Sequence, residues 1–259
     1  MRTIPGVSGR FLSRLWVEED EFDAIARHIL QTQGLYPDTP APIDIELLID
    51  KLFPCSYRFV KLPPKLMGRI IFDHEGPRVI EFQEQLDRPY NALINRRCRS
   101  TFGHECGHGI LHSYLFSELW NAQSDETGKR LKSVLNDKSR YLDEARRNAD
   151  QENWFEYQAN RLMASLLLPI HPIIAQIGEH YLEPDHHRRL SFGDRRQLSL
   201  QVAKAFDVTP TLALHRLDDI FNKVLPRLNH LHITGEPNTY GTLADFCHPA
   251  EMFAQLRAA

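Results

Sequence analysis

The hydrophobic spacing changes twice along this chain, and that limits it to folds that set a small sheet between helices. Residues 20–33 and 43–53 carry apolar side chains at helical spacing. These run through Phe22, Ile25, Ile29 and Leu30, then Ile43, Leu47, Leu48 and Leu52, with Gly34 and Pro54 as stops. Residues 57–62, 69–72 and 78–82 are short and rich in Val, Ile and Phe, separated by Pro63-Pro64 and Glu75-Gly76-Pro77. They read as strands joined by turns, and residues 91–95 are a candidate for another. Helical spacing returns after Ser100 or Thr101, either of which can cap a helix reaching about Leu115. Residues 119–153 are polar and charged, and read as a helical or partly mobile surface excursion. Residues 154–168 form the most apolar helix, stopped by Pro169, and two more follow at 196–206 and 210–222. Strands followed by several helices predict an α+β fold: a small antiparallel sheet, then a mostly helical C-terminal part.

Composition excludes several classes. A net charge of −3 exerts no global pull toward nucleic acid or anionic membrane. Cys55, Cys98, Cys106 and Cys247 form no C-x-x-C pair, which points to a reducing compartment rather than a disulfide framework. The longest apolar stretch, residues 162–170, is broken by Ser165 and Pro169 and is too short to span a bilayer. The N-terminus has Arg2, Arg10 and Arg14 but no apolar signal core, so it reads as an ordinary arm. A cytoplasmic protein is expected.

Residues 104–108 read His-Glu-Cys-Gly-His. On a helix, positions four apart share a face, so His104 and His108 can point at one ion, with Glu105 in reach of a water beside it. That is the minimal equipment of a zinc peptidase, which needs a third protein ligand and one open position. Tyr114 stands where metzincins have a third His. His112 lies one turn further along, too far along the axis for the same ion, and is a candidate to hold a ligand in place from behind. A Glu from a later helix remains. Glu156 lies in an otherwise apolar helix, where an unpaired carboxylate is costly, and Glu144 and Glu152 compete with it by spacing. Asn160, one turn from Glu156, can orient a ligand imidazole or simply pack the helix. Cys106 points away from the His face and reads as a small buried hydrophobe.

The blocks RSTFGHECGHGILH (99–112) and FEYQANRLMASLLLP (155–169) resemble the ImmA/IrrE family of metallopeptidases. Its pattern runs R-x-T-x-A-H-E-L-G-H-x-x-x-H and then E-x-x-A-N-x-F-A-x-x-L-L-M-P. Residues 197–222 resemble the segment that follows in that family, and the likeness covers roughly residues 40–222. The resemblance implies a zincin-like domain of gluzincin type, its small sheet packed on the motif helix. It implies one zinc held by His104, His108 and Glu156, with Glu105 as general base. Ala159, Asn160, Ala164, Leu166, Leu167 and Pro169 match the second block. It also implies an endopeptidase that cleaves a separate regulatory protein, a repressor or antitoxin-like DNA-binding partner. Gly103 and Cys106 depart from the pattern, and the long gap from His108 to Glu156 implies an insertion near 119–150. The expected division is an N-terminal arm and helix at 1–39, the metallopeptidase domain at 40–185, and a helical region at 186–259 resembling a helix-turn-helix. The strands before the motif helix suggest an edge on which an extended peptide can lie as an added strand.

Two other readings compete. Arg188, Arg189, Arg195, Arg196 and Lys204 can form a phosphate-facing patch beside a helix-turn-helix over 201–217. The second helix of that unit offers only His215 and Arg216 to read bases and ends acidic, so direct DNA binding is the weaker reading. A non-catalytic, zinc-stabilised sensor or interaction protein is the other. Glu105 argues against it, since a purely structural site has no use for that base. The His186-His187 pair, His230 and His232 read as surface histidines.

Overall fold

Asn91 starts the longest helix. Its side-chain oxygen accepts from the N–H groups of Leu93 and Ile94, 3.1 Å each, and so satisfies donors that a helix start leaves open. The computed structural model describes residues 2–5, 13–73, 76–87, 91–122, 133–136, 151–182 and 190–226. Within these, β1 is Arg2–Pro5, β2 Ser13–Trp16, α1 Glu21–Thr32 and α2 Ile45–Leu52. Then come β3 (Ser56–Val60), β4 (Gly68–Asp73), β5 (Gly76–Gln83), α3 (Ala92–Ala122) and β6 (Ser133–Asn136). The rest is helical: α4 (Gln151–Leu167), α5 (Ile170–Ile177), α6 (Phe192–Phe206) and α7 (Pro210–Asp219). The class is α+β, as the spacing predicted.

The strand expected over residues 91–95 is instead the first turn of α3. The helix does not begin at Ser100 or Thr101. Both lie in its interior, where their hydroxyls donate to the carbonyls of Arg96 and Arg97, 2.9 and 3.0 Å away. Nor does it end near Leu115, but continues to Ala122.

The main sheet has the order β3-β5-β4-β6. It is mixed rather than antiparallel, because β3 pairs parallel to β5 while β4 runs antiparallel to both β5 and β6. The connection after β3 carries the chain one position too far for a hairpin, and β5 folds back into the gap. Gln83, at the end of β5, secures that connection. Its side chain accepts from Leu62 N–H (3.0 Å) and donates to Leu62 O (3.1 Å), and its own N–H donates to Met67 O (2.8 Å). Strand β6 falls in the segment expected to be a surface excursion, and pairs with Arg69–Phe72 along the outer edge of β4.

The sheet positions α3. Ile70, Phe72, Ile80 and Phe82 are buried, and the Phe82 ring stacks on Phe102 of α3 at 3.9 Å between centroids. Tyr57 meets Phe102 edge-on at 5.0 Å. Arg58 and Arg69 lie directly across from Glu81 on the two flanking strands, and each guanidinium contacts its carboxylate at 2.5 Å. This three-strand charge ladder ties the register, since slipping either neighbour by one residue moves its Arg to the other face.

The chain forms two compact units, each drawn from separate stretches of sequence. Met1–Val17 and Ile49–Met163 belong to one; Glu18–Leu48 and the described residues from Ala164 onward belong to the other. Helices α2 and α4 each run through a boundary, so chain order does not separate the units. In the second unit α6 begins with a capping box between Ser191 and Asp194. Asp207 takes a left-handed conformation at the turn, and the Thr209 hydroxyl caps α7 by accepting from Leu212 N–H at 3.2 Å. Among the described residues no helix is long and apolar enough to cross a membrane.

Candidate metal centre

Two glycines let α3 pack closely enough to build a site. A Cβ at Gly107 would stand 2.8 Å from the carbonyl oxygen and 3.1 Å from the Cα of Ala159 on α4. A Cβ at Gly109 would stand 2.5 Å from the Phe53 ring. Only hydrogen fits at these positions unless the neighbour moves. The approach at Gly107 brings the faces bearing His104, His108 and Glu156 together.

Ligand atoms from these three buried residues lie within 4.8 Å of one another. His104 Nε2 is 3.2 Å from one Glu156 oxygen and His108 Nε2 is 3.4 Å from the other. The two Nε2 atoms are 3.0 Å apart. Burial pushes the Glu156 carboxyl up, but the charge of His108, then hydrogen bonds from His104 and His108, hold it well below the usual carboxylate range. Two imidazole nitrogens and a carboxylate facing one another out of water repel unless a cation or proton lies among them. The set matches the N and O donors of a His₂Glu zinc site, so this buried group can hold a metal ion. Glu144 and the side chain of Glu152 lie outside the described residues.

The nitrogens on the far side of the ligand rings are engaged. Asn160 Oδ1 is 3.0 Å from His104 Nδ1, and His112 Nδ1 is 2.9 Å from His108 Nδ1. His112 therefore lies behind His108 and is not part of the group that could hold an ion. Complete burial pushes its imidazole well below the ordinary range.

Glu105, next to His104 in α3, is fully buried. Gly68, the first residue of β4, forms the notch that holds it. A Cβ there would stand 2.8 Å from Glu105 Oε1 and 2.7 Å from Thr101 Cγ2. Cys106 is fully buried and free, and burial pushes its thiol up, away from the thiolate that a metal takes. Sequence reasoning did not single out Gly68, Gly107 or Gln158. A glycine in the middle of an otherwise helical motif was the available signal for Gly107.

Arg188 and Arg189 lie outside the described residues, as do His186, His187, His230, His232 and Cys247. Arg196 and Lys204 are exposed on α6, and Arg195 lies 3.4 Å from Asp218. Arg216 is fully buried, bonded to the Asp23 carboxylate and to Leu168 O (3.1 Å), so it is not available to read bases.

Comparison of the chain with protein-family models, with curated proteins and with solved structures finds no match.

Proposed function

We propose that this protein is a zinc-dependent endopeptidase of ImmA/IrrE type. The observation that carries the reading is the buried convergence of His104, His108 and Glu156, with Glu105, the neighbour of His104 in α3, also buried. Zinc bound there would polarise a scissile carbonyl and make a water acidic enough to lose its proton near neutral pH. Glu105 carries that proton. Its carboxylate accepts it as the water oxygen attacks, then delivers it to the amine as the C–N bond breaks. Seated against Gly68, the carboxylate does this without first ordering a mobile side chain. Asn160 and His112 keep the ligand rings turned toward the ion.

The proposed substrate is a separate regulatory protein, of repressor or antitoxin type, as the motif resemblance implies. The outer edge of β4, the strand that carries Gly68, is filled by β6. An extended substrate segment adding to that edge would take the place of Ser133–Asn136.

The test is Glu105→Gln, incubated in parallel with wild type against a panel of helix-turn-helix repressors, with new termini read by mass spectrometry. Wild type is expected to cleave, and the variant to keep its zinc while losing roughly 10²–10⁴-fold in rate. Equal cleavage by both proteins would remove Glu105 as the base.

A further inference from the structure

We propose that Gln158 on α4 is a positioning residue for the metal centre, and that the backbone carbonyl of Leu15 on β2 completes the site by fixing which way Gln158 points. The proposal rests on the reading that the His104–His108–Glu156 group holds a metal. The chain of contacts is continuous within one compact unit. His108 Nδ1 lies 2.9 Å from His112 Nδ1, and His112 Nε2 lies 3.1 Å from Gln158 Oε1. Gln158 Nε2 lies 2.7 Å from Leu15 O.

The polarity of this chain follows from its last member. A backbone carbonyl has no proton, so the group facing Leu15 O must be the amide NH₂ of Gln158. The flipped amide would set two acceptor oxygens 2.7 Å apart. The amide oxygen is thereby turned to His112, whose Nε2 must donate. A neutral imidazole has one donor and one acceptor, so His112 Nδ1 accepts and His108 Nδ1 must carry the proton. That leaves Nε2 of His108, which faces Glu156 and His104, as the nitrogen that can turn its lone pair to a metal ion, or carry a proton toward Glu156 when no ion is bound. His104 reaches the same state by a shorter route, because Asn160 Oδ1 accepts from its Nδ1–H.

The N-terminal strand is therefore part of the centre through one carbonyl. Trp154 Nε1 also donates to Leu15 O, at 3.1 Å, and the Trp154 ring stacks on Trp16 at 5.1 Å between centroids. These contacts hold β2 against α4 at the level of Gln158. His112, Gln158 and Leu15 are all buried, so no bulk water substitutes for a missing partner.

Two variants separate positioning from packing. Gln158→Met keeps the length and removes the amide, so His112 is free to take either tautomer. Gln158→Glu, held by burial as the neutral acid, donates its hydroxyl to Leu15 O and keeps its carbonyl oxygen toward His112 Nε2–H, so the His108 tautomer is retained. The measurements are the zinc dissociation constant by chelator competition, and the His108 tautomer by long-range ¹H–¹⁵N spectra of the metal-stripped protein. The expected result for Gln158→Met is roughly 10–100-fold weaker zinc binding with mixed His108 tautomers. Gln158→Glu is expected to hold zinc more tightly than Gln158→Met and to keep the proton on Nδ1, whatever its melting temperature. A wild-type His108 with no proton on Nδ1 would overturn the proposal, as would a Gln158→Met protein with unchanged tautomer and affinity. Wild type that binds no zinc but keeps the Nδ1–H tautomer would instead overturn the metal reading and leave the relay standing.

Discussion

The Glu105 carboxylate lies against Gly68. It fills the space left by that residue's missing side chain, so the placement of the proposed base depends on a glycine in another element. Gly68→Ala is expected to displace it by a few tenths of an ångström to an ångström. Misplacement on that scale costs up to about 100-fold in rate. None of the three ligand atoms is touched by the change, so zinc content should stay at the wild-type level. Single-turnover cleavage measured beside zinc content checks this, and an unchanged rate would show that the carboxylate is not held by this notch. At this scale part of the site was legible. His104, Glu105 and His108 announce themselves because helical geometry alone places them, and Glu156 because a carboxylate in an apolar helix needs a reason. Gly68 and Gln158 were not legible. Their roles come from contacts with Glu105, His112 and Leu15 that only the tertiary structure creates.

The metal centre depends on how closely α3 and α4 approach at Gly107 and Ala159. Gly107→Val places branched carbon where Ala159 backbone now lies. It is expected to cost about 1–3 kcal/mol and to weaken zinc binding by separating the two helices. Thermal unfolding of the apo protein reads the first effect and chelator competition the second. The sheet supplies an independent test in the Arg58–Glu81–Arg69 ladder. Burial pushes the Glu81 carboxyl up, but hydrogen bonds from Arg58 and Arg69 outweigh it and hold it below the usual range. Its stabilising contribution should then be present above the unfolded carboxylate value of about 4.3 and fade as pH falls through the lower folded value. The gap in denaturation midpoint between wild type and Glu81→Gln should therefore be open at neutral pH and close in acid. A gap independent of pH would mean that the ladder acts by shape alone. Most elements were readable from spacing, including the α6–turn–α7 unit with Asp207 and Thr209 at its turn. The start of α3 and the parallel pairing of β3 were not. Asn91 caps through a side-chain contact that strand-like spacing hides, and pairing direction depends on the path of residues 61–67, which periodicity does not record.

At the scale of the molecule, α4 contributes residues to both compact units. Glu156 and Gln158 sit on the part of α4 that belongs with α3 and the N-terminal strand. Residues as far apart in sequence as Leu15 and Gln158 therefore serve one centre. The second unit keeps Arg216 buried against Asp23, which ties α7 to α1 and removes one of the two side chains, Arg216 and His215, that a base-reading role would draw on. What remains central is whether the His104–His108–Glu156 group holds a metal. The most direct measurement is zinc stoichiometry after exhaustive dialysis, for wild type and for Glu156→Ala. One zinc per chain in wild type, lost or greatly weakened in the variant, is the predicted result. Wild type that takes up no zinc even when supplied with it, or a Glu156→Ala protein that retains zinc unchanged, would contradict the account.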